Sequence, residues 1–364
     1  MFFQCERHPQ YLKEEKIPKC LILIVENGKI VDGTGNSSLK FIGIKGIKCM
    51  IIYDIIRRIS VSIPVIIAII ILSFMLMHII PGSPAALILG PEANREDIIR
   101  LEHEMGLDIP LPLQLYNWFK GVLRGDLGVS FYLKQPVVEA IFSRVGITLT
   151  LATASLIIAI IIGLSSGILS ALKQNSAIDN FIMSIAVIGI SIPNFWLGIN
   201  LMWFFGVQLR WLPVQGFIPL TDNFIKSIKY LILPSFCLGF PQGAFIARMT
   251  RSSMLEIIRE DYIRTARAKG LKSRIIYMKH VFKNAVLPLI TIIGMIYSLL
   301  LGGTILVENV FNIPGLGKLF IMAIQRRDYP LIQASTLYIG IIFILINLIA
   351  DIIYRFIDPR IQNV

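Results

Sequence analysis

Ten lysines and arginines fall between Arg248 and Lys283: Arg248, Arg251, Arg259, Arg264, Arg267, Lys269, Lys272, Arg274, Lys279 and Lys283. Only Glu256, Glu260 and Asp261 oppose them. Cations at this density attract anionic groups, whether nucleic-acid phosphates, lipid headgroups or an acidic groove on another protein. Within the run, Thr265-Ala266-Arg267-Ala268-Lys269-Gly270-Leu271 sets small residues among the cations. Small side chains let two backbones approach closely. Gly270 suits the left-handed turn that ends one short helix so that a second starts near Ser273. Before it, Ser252 to Arg264 has helical spacing, with Met254, Leu255, Ile258, Tyr262 and Ile263 at the apolar positions. A short helix of this kind fits a groove on a partner protein. It equally fits a basic loop resting on headgroups, and spacing alone leaves both open.

Little else in the chain is equipped for chemistry. Cys5, Cys20, Cys49 and Cys237 form no CxxC pair, so they read as neither a disulfide framework nor a metal site. His78 and His280 stand singly, without ligand partners at usable spacing, and read as surface or interfacial residues. There is no phosphate-cradling GxxxxGK[ST] loop and no nucleophile–base constellation. No cofactor or metal is expected in the chain itself.

The elements that position the basic run lie in lipid. The 364 residues are 55% hydrophobic and 16% charged, with a formal net charge of +12. The apolar residues sit in long charge-free blocks, which makes the bilayer rather than nucleic acid the natural environment. Six blocks are long enough to cross: Ile59–Ile80, Ile147–Leu172, Phe181–Gly206, Tyr230–Ala247, Ala285–Val307 and Leu331–Ala350. The fourth is the weakest, being short and holding Pro234 and Pro241. The basic run then lies in the cytoplasm, as do both termini, in agreement with Lys45, Lys48, Arg57 and Arg58 before the first block and Arg355 and Arg360 after the last. No secretory signal pattern opens the chain. The fold class is therefore all-α, with six transmembrane helices.

Pro81 to Gly146 falls outside, and its acids slightly outnumber its bases. Asn94 is placed to cap a helix with Ile98, Leu101 and Met105 on one face and Gly106 at its end. A second amphipathic piece after Pro112 carries Leu115, Trp118, Phe119 and Val122, and Gly125-Asp126-Leu127-Gly128 reads as a turn. These signals give a small ordered helical cap. Within the blocks, Asn194 and Asn200, near a kink at Pro193, are candidates to line a pathway or to hydrogen-bond between helices. Gly302 and Gly303 favour close packing. Glu308 and Asp328 are open to contact with an outside protein or to simple solvation.

Several of these segments resemble, in order, the permeases of ATP-binding-cassette importers of the peptide/nickel branch. They are Pro81-Gly82-Ser83-Pro84, Gly125-Asp126-Leu127-Gly128, Pro193-Asn194-Phe195-Trp196-Leu197-Gly198, Trp211-Leu212-Pro213, Asp261 to Leu271, Phe311 to Gly317, Arg327-Asp328-Tyr329-Pro330 and Asp358-Pro359-Arg360. The resemblance runs from about Met50 to Ile361. Where importer permeases in general carry Glu-Ala-Ala, this chain has Arg264-Thr265-Ala266, as the peptide-type branch does. The resemblance implies a type-1 permease domain over residues 144–354, preceded by the first span and outer segment over 50–143 and followed by a cytoplasmic tail over 355–364. It implies a coupling loop at Thr265, Ala266, Arg267, Ala268, Lys269, Gly270 and Leu271. Ala266, Gly270 and Leu271 would dock directly, with Arg267 and Lys269 as polar contacts. The implied partners are a second, non-identical permease, two ATPase subunits that hold ATP and magnesium, and an extracytoplasmic solute-binding protein. Relatives carry dipeptides, longer peptides, glutathione or chelated nickel. The long outer segment resembles the first of the two permeases.

Spans without ionisable residues, except His78 near an outer end, disfavour an ion-coupled carrier. A membrane receptor or scaffold that binds a soluble partner through the basic loop is the alternative from another class, and co-purification with ATPase subunits separates the two. Residues 1–49 stand outside the resemblance. Leu21 to Gly35 reads as two short strands around an Asn27-Gly28 turn, similar to the opening strands of amidohydrolases. A remnant of an adjacent reading frame, or a start misplaced ahead of Met50, is expected there.

Overall fold

A computed structural model describes residues 23–26, 29–32, 60–75, 83–90 and 92–357. The chain divides into two compact units, Met1–Val61 and Ser62–Val364. In the first, β1 (Leu23–Glu26) and β2 (Lys29–Asp32) pair antiparallel, with Glu26 opposite Lys29 and Leu23 opposite Asp32. That register leaves two residues to turn the chain, as the Asn-Gly pair requires. Asn27 and Gly28 themselves lie outside the described residues.

The second unit is helical. α1 (Ser60–Met75) buries Ile70 and Phe74, and it lies so close to the last helix that a Cβ on Gly340 would stand 2.6 Å from Ile69 Cδ1. The rest of the expected first block, with His78, lies outside the described residues. Three short helices follow: α2 (Pro84–Leu89), α3 (Arg95–Glu104) and α4 (Leu111–Arg124). Ser83 caps α2 through Ala86 N at 3.4 Å. Asn94 takes the cap position of α3 in an extended conformation but makes no side-chain cap bond. Ile98, Leu101 and Met105 on α3, and Leu115, Trp118, Phe119 and Val122 on α4, are each half-buried, so each helix turns the expected face inward. Gly106 (φ +66°) and Gly125 (φ +78°) take the left-handed turns that end them. Asp126 Oδ1 then accepts from Gly128 N at 2.9 Å, closing the turn.

The bundle proper comprises α5 (Val137–Leu172), α6 (Ala177–Ser191), α7 (Asn194–Leu201), α8 (Phe224–Ile258), α9 (Asp261–Ala268), α10 (Ser273–Ile275), α11 (Lys283–Val310), α12 (Leu316–Arg326) and α13 (Tyr329–Ile357). Two π-helical stretches, Met202–Gln208 and Ile276–Phe282, continue α7 and α10. Among the described residues, four helices are long and apolar enough to cross a membrane, and the bent α6–α7 pair makes a fifth if it is counted as one span. α5 begins ten residues before its apolar block and α8 ends eleven beyond its own, because both helices run on through the membrane boundary.

α8 is the least apolar of the spans and also the most enclosed. Two-thirds of its apolar window (67%) is buried inside the chain, against 28–33% in α5, α11 and α13. Its prolines and polar residues face protein rather than lipid, which is why hydropathy undervalues it. α5 and α8 pack backbone to backbone. A Cβ on Gly167 would meet Ala247 O at 2.6 Å, and one on Gly239 would meet Ser155 O at 2.5 Å. Small residues permit this approach, and the dispersion it gains replaces the hydrophobic drive that lipid cannot supply. α11 completes the core, with Ile296, Leu300 and Val307 against Leu151, Cys237 and Leu238.

Candidate functional site

The basic run is not one helix followed by a loop. The helix expected over Ser252–Arg264 stops at Ile258, and Glu260 is extended (φ −64°, ψ 145°), caps α9 and redirects the chain. On α9 the spacing i, i+3 puts Ile263 and Ala266 underneath, where they join Ala171 of α5, Met254 and Leu255 of α8, and Ile276, Val281 and Ala285. Asn284 Nδ2 donates to Tyr262 Oη at 2.9 Å, tying α9 to the start of α11. Gly270 (φ +73°) turns the chain, with its N–H on Arg267 O at 2.9 Å, and α10 starts at Ser273 as its left-handed turn suggested.

Thr265, Arg267, Ala268, Lys269, Gly270 and Leu271 face outward on this small platform. Ala266 does not. Expected as a direct docking contact, it is 9% exposed and serves as floor, because it shares Ile263's face of the helix. Beside the outward face stand residues that the sequence reading did not single out: Ile275 (42% exposed) and Met278 (55%). These two large apolar side chains stand open at i, i+3 among Lys269, Lys272, Arg274 and Lys279, and that spacing was readable.

The third block is also not one helix. α6 and the α7 segment meet at an angle of 105° across Ile192 and Pro193. Proline donates no hydrogen bond and excludes helix from the residue before it, so a break at this point is the chemical expectation. Asn194 opens α7 half-buried. Its carbonyl accepts from Cys237 Sγ at 2.9 Å, and its side-chain amide stands 3.7 Å from where a Cβ on Gly303 would lie. Gly303 thus permits the close contact expected of it, whereas Gly302 has open space. Asn200 is exposed on another face, its amide donating to Trp196 O at 2.8 Å. The structure therefore separates the two asparagines. A groove of about 590 Å³, lined by Thr150, Thr153, Ile157, Ile228, Ile232 and Ser235, runs between α5 and α8 and includes neither.

Glu308 and Asp328 correct the expectation that they are solvated or free to touch an outside protein. They are 0% and 1% exposed. Glu308 accepts from Thr148 Oγ1 at 2.6 Å and from Gly317 N and Lys318 N at 2.7 and 3.1 Å. Asp328 accepts from Ser130 Oγ at 2.5 Å and Tyr132 N at 3.0 Å. Each carboxylate joins the start of a helix, α12 or α13, to a segment more than 150 residues earlier in the sequence.

A bundle of long apolar helices, with one bent pair, and a short helix seated on the helix ends that presents a basic surface fit an integral membrane transport subunit. The chain belongs to the inner membrane components of binding-protein-dependent transport systems. Residues 159–363 match that family's main domain, and residues 50–152 match its N-terminal domain. It is a multi-pass inner-membrane permease subunit of an importer, not a catalytic one. It is 43% identical over 326 residues to the dipeptide transport system permease protein DppB of Alkalihalophilus pseudofirmus, covering 84% of this chain and 98% of that protein. It is 42% identical over 308 residues to the glutathione transport system permease protein GsiC of Escherichia coli O6:H1, covering 85% and 98%. The inward-facing methionine ABC transporter MetNI shares its fold, the type-1 importer permease fold, at a TM-score of 0.50 and 21% identity over 60% of this chain and 95% of that one.

Proposed function

We propose that this permease forms half of the path for short peptides or related small solutes such as glutathione, and that its driving force enters through α9 and the Gly270 turn. The carrying observation is the platform. Ile263 and Ala266 fix α9 to the ends of three long helices, while Arg267, Lys269, Gly270 and Leu271 face outward with Ile275 and Met278. A docked ATPase subunit moving this surface moves the bundle. Energy comes from outside the chain: its apolar blocks hold no Asp, Glu, Lys or Arg, the buried Glu308 just beyond the fifth block is engaged in capping α12, and the sequence has no phosphate loop.

In this reading the platform faces the cytoplasm with both termini, and the helical cap faces the delivering protein. A second, non-identical permease completes the path, two ATPase subunits sit below, and Asn194 at the broken span lines the way through. Residues 1–49 lie before the permease, which extends over 50–354 with a short tail. The relatives named for dipeptide and glutathione transport support the solute class.

The test is uptake of a labelled dipeptide by vesicles holding both permeases, the ATPases and the binding protein. Gly270→Trp should insert normally yet abolish ATP-driven uptake. Undiminished uptake by that variant, or ATP-independent concentration of the dipeptide by this chain alone, would refute the reading.

A further inference from the structure

We propose that Asp179, Arg251 and Ser170 form a clasp that passes movement of the α9 platform to α6 and so to the break at Pro193. The inference rests on the coupling role proposed above and names the residues that transmit it inside the chain. Asp179, in the first turn of α6, is 1% exposed. Arg251 of α8 grips it with two parallel bonds, Nε to Oδ1 and Nη2 to Oδ2, each 2.7 Å. Ser170 of α5 donates to Oδ1, and Asn175 N donates to Oδ2 at 2.9 Å. One carboxylate therefore holds three helices and the α5–α6 turn. A forked guanidinium–carboxylate pair fixes orientation as well as distance.

The position of the clasp gives it direction. Arg251 lies three residues before Met254, and Ser170 lies directly before Ala171. Met254 and Ala171 are both in the apolar cluster that seats Ile263 and Ala266. α5 and α8 are already locked together by their glycine contacts at Gly163 and Gly167. α6 has no such stripe at this end, and its hold on α8 higher up is Gly189 against Phe240 and Ala244. The clasp thus adds a directional polar fastening between the platform end of α6 and the α5–α8 pair. From Asp179 the helix runs about 18 Å to Ser191 at ~1.5 Å per residue, where it meets α7 at the 105° bend. A push on α9 reaches α5 and α8 through packing. It reaches α6 through this carboxylate as well as through the short α5–α6 turn.

Arg251 is one of the ten cations of the basic run, yet it is spent inward and is not part of the docking face. Asp179 and Arg251 are positioning residues, so the test must separate transmission from stability. Hydrogen–deuterium exchange of the assembled complex, with and without ATP plus vanadate, reads both segments at once. In the wild type, residues 177–191 and 261–275 should both change their exchange on trapping. In Asp179→Asn, and in Arg251→Lys should the first fail to assemble, the change at 177–191 should fall at least threefold while that at 261–275 persists. An unaltered response at 177–191, or loss at both segments in proportion, would overturn the clasp. A wild-type complex in which 261–275 ignores the nucleotide would instead overturn the coupling role of the platform.

Discussion

Thr148 and Glu308 share a 2.6 Å hydrogen bond across 160 residues of sequence, and between them they cap a helix that belongs to neither. Thr148 Oγ1 also accepts from Leu316 N at 2.9 Å, and Glu308 Oε2 accepts from Gly317 N at 2.7 Å and Lys318 N at 3.1 Å. These are the first N–H groups of α12, which its own N-cap, Gly315, has no side chain to satisfy. The carboxylate lies where the helix dipole favours negative charge. Gly315 is glycine for steric reasons, since its φ of −90° suits any residue but a Cβ there would land on the Glu308 carboxyl group.

Thr148→Val keeps the shape and removes both bonds. It leaves Leu316 N without its acceptor and Glu308 one donor short. The expected cost is about 1–3 kcal/mol, read as a lowered Tm of the detergent-solubilised permease. Thr150→Val is the control: Thr150 bonds only Gly146 O within its own helix, so a small shift is expected. Equal melting of the two variants would contradict the capping role.

The glycines of the helix interfaces should divide cleanly. Gly167→Ala places a methyl carbon 2.6 Å from both Ala247 O and Thr250 Cβ, so helix backbones must part. About 1–3 kcal/mol of destabilisation is expected from such overpacking. Gly302→Ala meets nothing within 4 Å and should fall within about 0.5 kcal/mol of the wild type. Thermal melting of the two purified variants checks the contrast.

Ala266 and Leu271 test the two faces of the platform. Ala266→Leu adds bulk beneath α9, where Ile263 and Met254 already fill the space, and should lower stability by about 1–3 kcal/mol. Leu271→Asp changes a side chain that is 39% exposed and should leave the melting curve almost unmoved. It should nevertheless reduce ATP-driven dipeptide uptake by tenfold or more and weaken co-purification of the ATPase. Full uptake by Leu271→Asp would remove the docking role from this face.

The elements with strong local grammar were legible in the sequence. The apolar blocks, the faces of α3 and α4, and the turns at Gly106, Gly125 and Gly270 each follow from neighbours a few residues apart. The kink at Pro193 was legible from the missing N–H of proline, but its size of 105° was not, because hydropathy counts Ser191 to Asn194 as four tolerable residues of one crossing. The hinge at Glu260 was hidden because apolar spacing continues across it, from Ile258 to Tyr262 and Ile263. The three buried carboxylates were beyond local reading. Asp179 finds Arg251 72 residues away, and Glu308 and Asp328 find Thr148 and Ser130 at 160 and 198. An isolated acid in sequence looks solvated until the fold supplies donors. Ala266 shows the converse: the segment was recognisable, but which of its faces is the floor depends on what lies beneath.

The cap carries a pH-sensitive contact. His103 Nδ1 and Asp108 Oδ2 lie 2.6 Å apart across the turn that joins α3 to α4. The hydrogen bond to Asp108, and then its charge, raise the His103 pKa above the ordinary 6.5, and the same bond lowers that of Asp108. The imidazolium also sits in the last turn of α3, where the helix dipole favours a cation. A group whose pKa is raised on folding stabilises the fold fully below its unfolded value. That contribution is lost as pH rises through the folded value. The α3–α4 turn should therefore be tightest between pH 3.8 and 6.5, loosening as pH rises through the raised His103 pKa and also as pH falls from 3.8 through the depressed Asp108 pKa. Both side chains are largely exposed, so the effect is local. NMR titration of His103 should give a midpoint above 6.5 that returns towards 6.5 in Asp108→Asn. Amide exchange at 103–109 should rise with pH beyond its intrinsic trend in the wild type but not in that variant. A His103 midpoint at or below 6.5 in the wild type would show that the pair does not hold in solution.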